Sequence, residues 1–509
     1  MPLSPPKRAG GFFVFLSAHW VQDGLYMKSS LTDNKRFRGF KFLGFLACAC
    51  WPLVSHGDAV LDQDLSVPKQ PGMAWISTKA LEPAASPAAL NSSAPLTLAE
   101  LTDFALRNNP ATREAWEAAH AQAAAVGIAN AGYFPTLDAA VALTRGKSSI
   151  NSSTGVTSGN IQTRLSPSVT LGYVLFDFGA RSATKQAASY GLLAANLAQN
   201  RTLQDVVLRV EQAYYQLLGA REAIVAGAET LKNVQLSVDV ANARREAGLA
   251  TIGDVYQAET LLAQSRLQLR KAQGDAGKFK GVLCNAVGLP VNTKLELAPL
   301  EEKLPTQPVR ATVEDYLNKA KTTRPDLGAA EAQARSAHAS VDAASAKGDP
   351  SLNFAITAGK TYNNFETSRY SNGSSSGTVG ITLNIPIFDG FRTTNTVRQA
   401  QARADQLDAT RDRIALQVEL DVWQAYFDLD TAEASIDSAH ALLRSASLSR
   451  EVAQERYRAG VGNIPDLLTA QANEANARMQ VIQAEMGWYS SLSQLNNAIG
   501  NFSSDLEAK

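Results

Sequence analysis

Two periodicities alternate along this chain, and each occurs twice. In 163–178 one parity is apolar (Leu165, Val169, Leu171, Tyr173, Leu175) and the other is small or polar (Ser166, Ser168, Thr170, Gly172). That is the period of a β-strand with one greasy face. The same split marks 133–144, 350–362 and 377–389; in the last, Val379, Ile381, Leu383, Ile385 and Ile387 alternate with Gly380, Thr382, Asn384 and Pro386. Between the strands of each pair lies a Ser- and Gly-rich stretch, 146–160 and 363–377, which reads as a polar loop.

After each strand pair the period changes to three and four. Leu203, Val206, Val210, Tyr214 and Leu217 mark a proline-free helix over 180–247, with a counterpart over 392–459. At 1.5 Å per residue such a helix is about 100 Å long, where a globular helix averages about 11 to 12 residues. Each closes on Ala-Gly, a C-cap signal, and a return helix (252–288, 465–500) begins beyond it with Asp254 or Asp466 in its first turn. Pro465 suits the first helical position of the second return helix. Both long helices therefore fold back as hairpins.

The tips show most plainly that the chain is duplicated. "RREAGLATIGDVYQAE" at 244–259 aligns without a gap with "RYRAGVGNIPDLLTAQ" at 456–471. "FPTLDAAVAL" at 134–143 matches "DPSLNFAITA" at 349–358, pairing Pro135 with Pro350 at the helix-to-strand junctions. "LFDFG" at 175–179 returns as "IFDGF" at 387–391, with Asp177 and Asp389 at the strand exits. The two halves, 96–305 and 306–503, repeat at an offset of about 210 residues, far beyond the period of roughly 20 to 50 that makes a solenoid.

A strand of about ten tilted residues crosses a bilayer, although a soluble sandwich gives the same alternation. The long helices favour the membrane. Four strands cannot close a barrel, since about eight is the working minimum, and lipid does not tolerate open sheet edges. Several copies must pool their strands, with the hairpins packed below as a coiled tube.

Composition narrows the function. The 509 residues are 45% hydrophobic and only 19% charged, below the roughly 25% of ordinary soluble domains. Lys plus Arg equals Asp plus Glu at 48 each, so no field favours nucleic acid. Three cysteines outline neither a disulfide framework nor a metal cluster, and no cofactor is expected. His56 falls in the leader, and His120, His338 and His440 lack metal-ligand spacing. "GSSSG" at 373–377 matches a hydrolase elbow in text but reads as a low-complexity linker, so an enzyme is not expected. A periplasmic coiled-coil adaptor would account for the helices but not for the strand pairs.

Lys35, Arg36, Arg38 and Lys41 precede "FLGFLACACWPLVSHG", which makes 1–57 a signal region, with Met27 as an alternative start. The residues before Cys48 and Cys50 fit a lipoprotein site poorly, so cleavage near Gly57 is expected; acylation of either cysteine stays an alternative. Residues 58–95, rich in Pro and Ala, read as an extended periplasmic lead-in. No later segment holds the roughly 18 to 20 apolar residues of a spanning helix.

From Leu96 to about Phe502 the order of short helix, helix, strand pair, long helix, tip and return helix, given twice with "AGxxxxxD" tips and "FD" strand exits, resembles the TolC family of outer membrane efflux and secretion channels. The resemblance implies an α+β membrane protein of a Gram-negative-type envelope. It implies a homotrimer whose four strands per chain make a shared twelve-stranded barrel in outer membrane lipid, with a helical tunnel in the periplasm. It implies a periplasmic adaptor and a proton- or ATP-driven inner-membrane pump as partners, and small-molecule efflux as the task, with type I protein secretion as the alternative. By the same resemblance Gly248, Leu249, Gly460 and Val461 meet the adaptor, Asp254 and Asp466 ring the periplasmic entrance, and Tyr457 helps latch the closed state. A latch arginine of some members corresponds to Gly462 here, and an acidic position to Thr469. Carboxylates crowded around an axis repel one another and attract divalent cations. Within one chain, both aspartates equally suit helix starts facing solvent.

Overall fold

A computed structural model describes residues 95–151, 157–298, 311–365 and 371–501. The signal region with Met27, Cys48 and Cys50, and nearly all of the lead-in lie outside the described residues.

The first half runs α1 (Leu98–Asn108), α2 (Pro110–Ala131), β1 (Thr136–Asn151), β2 (Thr157–Phe176), α3 (Ala180–Glu246) and α4 (Ile252–Val287). The second repeats it with α5 (Val313–Thr323), α6 (Pro325–Ala346), β3 (Ser351–Phe365), β4 (Ser371–Asn384), α7 (Arg392–Arg458) and α8 (Ile464–Ile499). Local chemistry sets the boundaries. Thr97 and Thr312 open α1 and α5 with capping boxes to Glu100 and Asp315. Pro110 and Pro325 open α2 and α6, where a missing N–H leaves no helical bond unmade. Pro465 falls at the second position of α8, because Asn463 caps the helix one residue earlier than the proline suggested.

The strands form one antiparallel sheet in the order β1-β2-β3-β4. Register lines up Leu137, Leu171, Ile356 and Val379 on one face and Asp138, Thr170, Thr357 and Thr378 on the other. The apolar face is open in the single chain, with Val141 72% and Val379 68% exposed. β1 and β4 each pair on one side only.

The strands are longer than their apolar alternation predicts. Pairing continues from Gly146↔Gln162 to Asn151↔Thr157, and from Tyr362↔Gly373 to Asn364↔Ser371. Most of 146–160 and 363–377 is therefore strand rather than loop, and "GSSSG" lies in β4 rather than in a linker. Ladder bonds use main-chain groups alone, so Ser and Gly extend a register that the apolar residues have already set. At the other end β4 stops at Asn384, ahead of Pro386, which has no N–H to give; Ile385 and Ile387 leave the sheet.

α3 and α7 are 67 residues each, about 100 Å of helix. α3 packs along α2, α4, α6 and α8, and α7 packs along α6 and α8, so the two halves share helices rather than standing apart. Tyr215 of α3 stacks on Tyr489 of α8 at 5.0 Å. Near the tips, Val234, Val238 and Val255 of the first hairpin bury against Tyr457, Ile464 and Leu467 of the second. Full burial of one such aliphatic side chain contributes roughly 1.5–3 kcal/mol.

Candidate channel junctions and hairpin tips

The strand-to-helix turns use paired left-handed residues. Phe178 (φ 49°) and Gly179 (φ 96°) turn β2 into α3; Gly390 (φ 69°) and Phe391 (φ 64°) do so after β4. One phenylalanine at each turn thus holds a conformation that L side chains rarely adopt. The preceding aspartates hold the turns. Asp177 accepts from the Arg181 amide at 3.0 Å and from Arg181 Nε at 2.9 Å. Asp389 accepts from the Thr393 amide at 2.8 Å and its hydroxyl at 2.6 Å, and these donors hold its carboxyl below the usual range. Pro135 and Pro350 stand directly before β1 and β3, as the repeat predicts.

Arg181 is a junction residue the sequence reading did not single out. Besides Asp177 it donates to the carbonyls of Gly132 at 3.1 Å and Val174 at 2.8 Å, and it lies over the Tyr133 ring at 5.1 Å. One side chain joins the end of α2, the end of β2 and the start of α3. Its signal was the i, i+4 spacing from Asp177. Exposed Phe134, Phe176, Phe178, Phe388 and Phe391 surround the junctions, a belt of the kind found where a barrel meets the membrane–water interface.

At the far ends of the helices, both tips close as Schellman motifs. Gly248 (φ 73°) and Gly460 (φ 77°) take the left-handed position. Leu249 N–H bonds to Arg244 C=O at 2.8 Å, and Val461 N–H to Arg456 C=O at 3.0 Å. Leu249 and Val461 each point into solvent at 70% exposure.

The two tip aspartates differ. Asp254 closes a capping box, accepting from the Thr251 amide at 2.7 Å while its own amide donates to the Thr251 hydroxyl. At the second tip Asn463 caps the Asp466 amide at 2.9 Å, leaving the Asp466 carboxylate on the exposed surface beside a groove lined by Val452, Arg456 and Asn463.

Tyr457 is 5% exposed. The Arg244 guanidinium donates to its main-chain carbonyl and stacks 4.6 Å from its ring centroid. Among the described residues its hydroxyl has no hydrogen-bond partner. Burial pushes that hydroxyl's pKa up, Arg244 opposes the shift, and Asp254 adds to it, which puts Asp254 within electrostatic reach of the ring. At Gly462, an added Cβ would stand 3.0 Å from Tyr457 N, so a side chain there would crowd the main chain of the preceding turn.

Higher up, Gln471 donates to Ser237 at 2.8 Å, and buried Glu474 pairs with Arg450 at 3.0 Å and Arg478 at 3.2 Å. Arg478 also bonds Glu229 of α3. Polar bonds thus tie α3, α7 and α8 for several turns above the tips. Among the described residues, no three His, Cys, Asp or Glu side chains come together as metal ligands, and no helix is long and apolar enough to span a membrane.

The outer membrane efflux protein family matches this chain over residues 101–278 and 316–501, one match per structural repeat. The chain belongs to this family. It is 34% identical over 391 residues to Protein CyaE of Bordetella pertussis, covering 76% of this chain and 80% of that one. To outer membrane protein OprJ of Pseudomonas aeruginosa it is 28% identical over 381 residues, 74% and 78% of the two chains. The fold superimposes on the crystal structure of the outer membrane protein VceC of Vibrio cholerae with a TM-score of 0.68 at 22% identity, covering 79% and 96%. The fold is that of a TolC-like channel of the outer membrane, with its helical hairpins in the periplasm.

Proposed function

We propose that this protein is the passive outer membrane duct of a tripartite export system. Three copies pool their sheets into one barrel, and the hairpins form a tunnel that meets a periplasmic adaptor and an inner-membrane pump. The observation that carries the reading is the sheet itself: one face apolar and open, both edges unpaired, and two 67-residue helices leaving its inner end. In lipid such edges need partners, and other copies of the same chain supply them. Exposed Leu249 and Val461 are the adaptor contacts. The carboxylates of Asp466 and Asp254, one at each hairpin tip, narrow the entrance when the copies surround one axis. Arg244 takes the place of the arginine missing at 462 in holding Tyr457.

Small-molecule efflux is the first reading of the cargo, in line with relatives named as efflux proteins, BepC of Brucella suis among them. Type I protein secretion is the second. The same passive duct serves either cargo.

The test is the purified protein on a gel with and without heating, followed by single-channel recording in a planar bilayer. Heat-sensitive trimers that conduct in small, stable steps, blocked by a divalent cation on the periplasmic side, are expected. Well-folded monomers without conductance would overturn the reading. Loss of drug resistance or loss of a secreted protein on deletion separates the two cargoes.

A further inference from the structure

The apolar face of the sheet changes character toward its hairpin ends. Along β1 the residues of that parity run Leu137, Val141 and Leu143, then Arg145 and Lys147. Along β3 they include Ile356, then Lys360 and Tyr362. Three of the four cations in the strands lie on this one face; the fourth, Arg164, is on the polar face, bonded to Asn363 at 3.2 Å. The strands hold a single carboxylate, Asp138, and it too is on the polar face. Lys360 Nζ lies over the Tyr362 ring, 5.1 Å from its centroid, and so reaches along the strand toward the hairpin end.

A cation on a lipid-facing surface is costly at mid-membrane and nearly free at the interface, and it becomes favourable beside an anionic headgroup. The hairpin ends are the ends away from the helices. With the helices in the periplasm, they stand at the outer leaflet. We propose that Arg145, Lys147 and Lys360 form an exterior site for a phosphate-bearing lipid of the outer leaflet, whose acyl chains lie on the apolar band below and whose headgroup phosphates meet the three cations. Charge complementarity selects this occupant: Arg145 and Lys147 on β1, and Lys360 two strands across between the Leu165↔Tyr362 and Ser168↔Gly359 pairs, are the charges that the described strands place on this face, and all are positive beside apolar residues that acyl chains can cover. The site rests on the outer membrane placement and not on the cargo.

The test uses the full-length protein in detergent, mixed with bis-phosphorylated lipid A and passed through size exclusion, with retained lipid measured as phosphate. Wild type is expected to hold lipid through the column. The triple variant Arg145→Gln, Lys147→Gln, Lys360→Gln retains at least about tenfold less, while Arg164→Gln, which removes the same kind of charge from the other face, retains as much as wild type. Equal retention by the triple variant, or equal binding of dephosphorylated lipid A by wild type (measured by mass spectrometry), overturns the proposal. Planar-bilayer conductance of the same preparations reports separately on the channel. A triple variant that conducts and still retains lipid removes the site and leaves the channel reading intact. If the triple variant does not assemble, wild-type retention against rising NaCl decides the point: steep loss supports the phosphate contacts, and salt-independent retention overturns them.

Discussion

Arg244 and Tyr457 are 213 residues apart in sequence and in contact at the tips, where the guanidinium bonds the tyrosine's carbonyl and stacks on its ring. Each belongs to a different hairpin, so the contact ties the two return points together. Arg244→Ala removes a charge-assisted bond and a cation–π contact, together about 2–3 kcal/mol of local stability. Faster hydrogen exchange in both tip segments and larger single-channel conductance are the expected readouts; unchanged exchange in the Tyr457 segment would refute the tie. Tyr457→Phe is expected to behave like wild type, because the buried hydroxyl it deletes has no hydrogen-bond partner among the described residues.

The tip aspartates separate a pore role from a capping role. Asp254→Ala breaks a capping box and loosens the start of α4 by about 0.5–1 kcal/mol, whatever it does to the channel. Asp466→Ala leaves its cap intact, since Asn463 bonds the main chain there. Divalent-cation block in planar bilayers is expected to weaken in both variants, with a loss of tip protection in hydrogen exchange only in Asp254→Ala. Block that persists in the double variant would show that neither carboxylate lines the entrance.

Leu249 and Val461 hold no core together, being 70% exposed at the tips. Replacing both with Asp is expected to leave trimer heat-modifiability unchanged, while export in cells falls to near that of a deletion strain. Export at wild-type level from the double variant would place the adaptor contact elsewhere.

Arg324 is a buried cation of the helical body, 3% exposed at its side chain and bonded to Asp326 at 2.6 Å, Asp421 at 3.1 Å and the Ala498 carbonyl at 3.2 Å. Burial alone would raise the Asp326 carboxyl; the Arg324 hydrogen bond and charge more than offset it and hold that group below its ordinary 3.8. A carboxyl depressed in the folded state contributes stability above its unfolded pKa and loses it as pH falls through the folded one. Stability from this cluster is therefore expected to be flat near neutrality and to decline below pH 3.8, with the decline reduced in Asp326→Asn. Arg324→Ala strands two carboxylates near the end of α8 and is expected to cost about 3 kcal/mol in thermal unfolding.

Much of this protein was legible in its residues because the signals are local. A period of two, a period of three and four, an Ala-Gly stop and a Thr or Asn cap each act within a few positions, and the duplication let one half check the other. The Ser/Gly-rich stretches read as loops for the same reason: their side chains are silent about pairing, and their strand state comes from the main chain of the opposite strand. What the tertiary structure alone decided spans the two repeats. It brought Arg244 to Tyr457, set the Gly462 backbone close against that of Tyr457, gave Asp254 and Asp466 different hydrogen bonding, and set β2 beside β3 so that four short apolar stripes became one face. Those outcomes depend on register between helices and strands about 200 residues apart, where no pattern along the chain records which side chain will meet which.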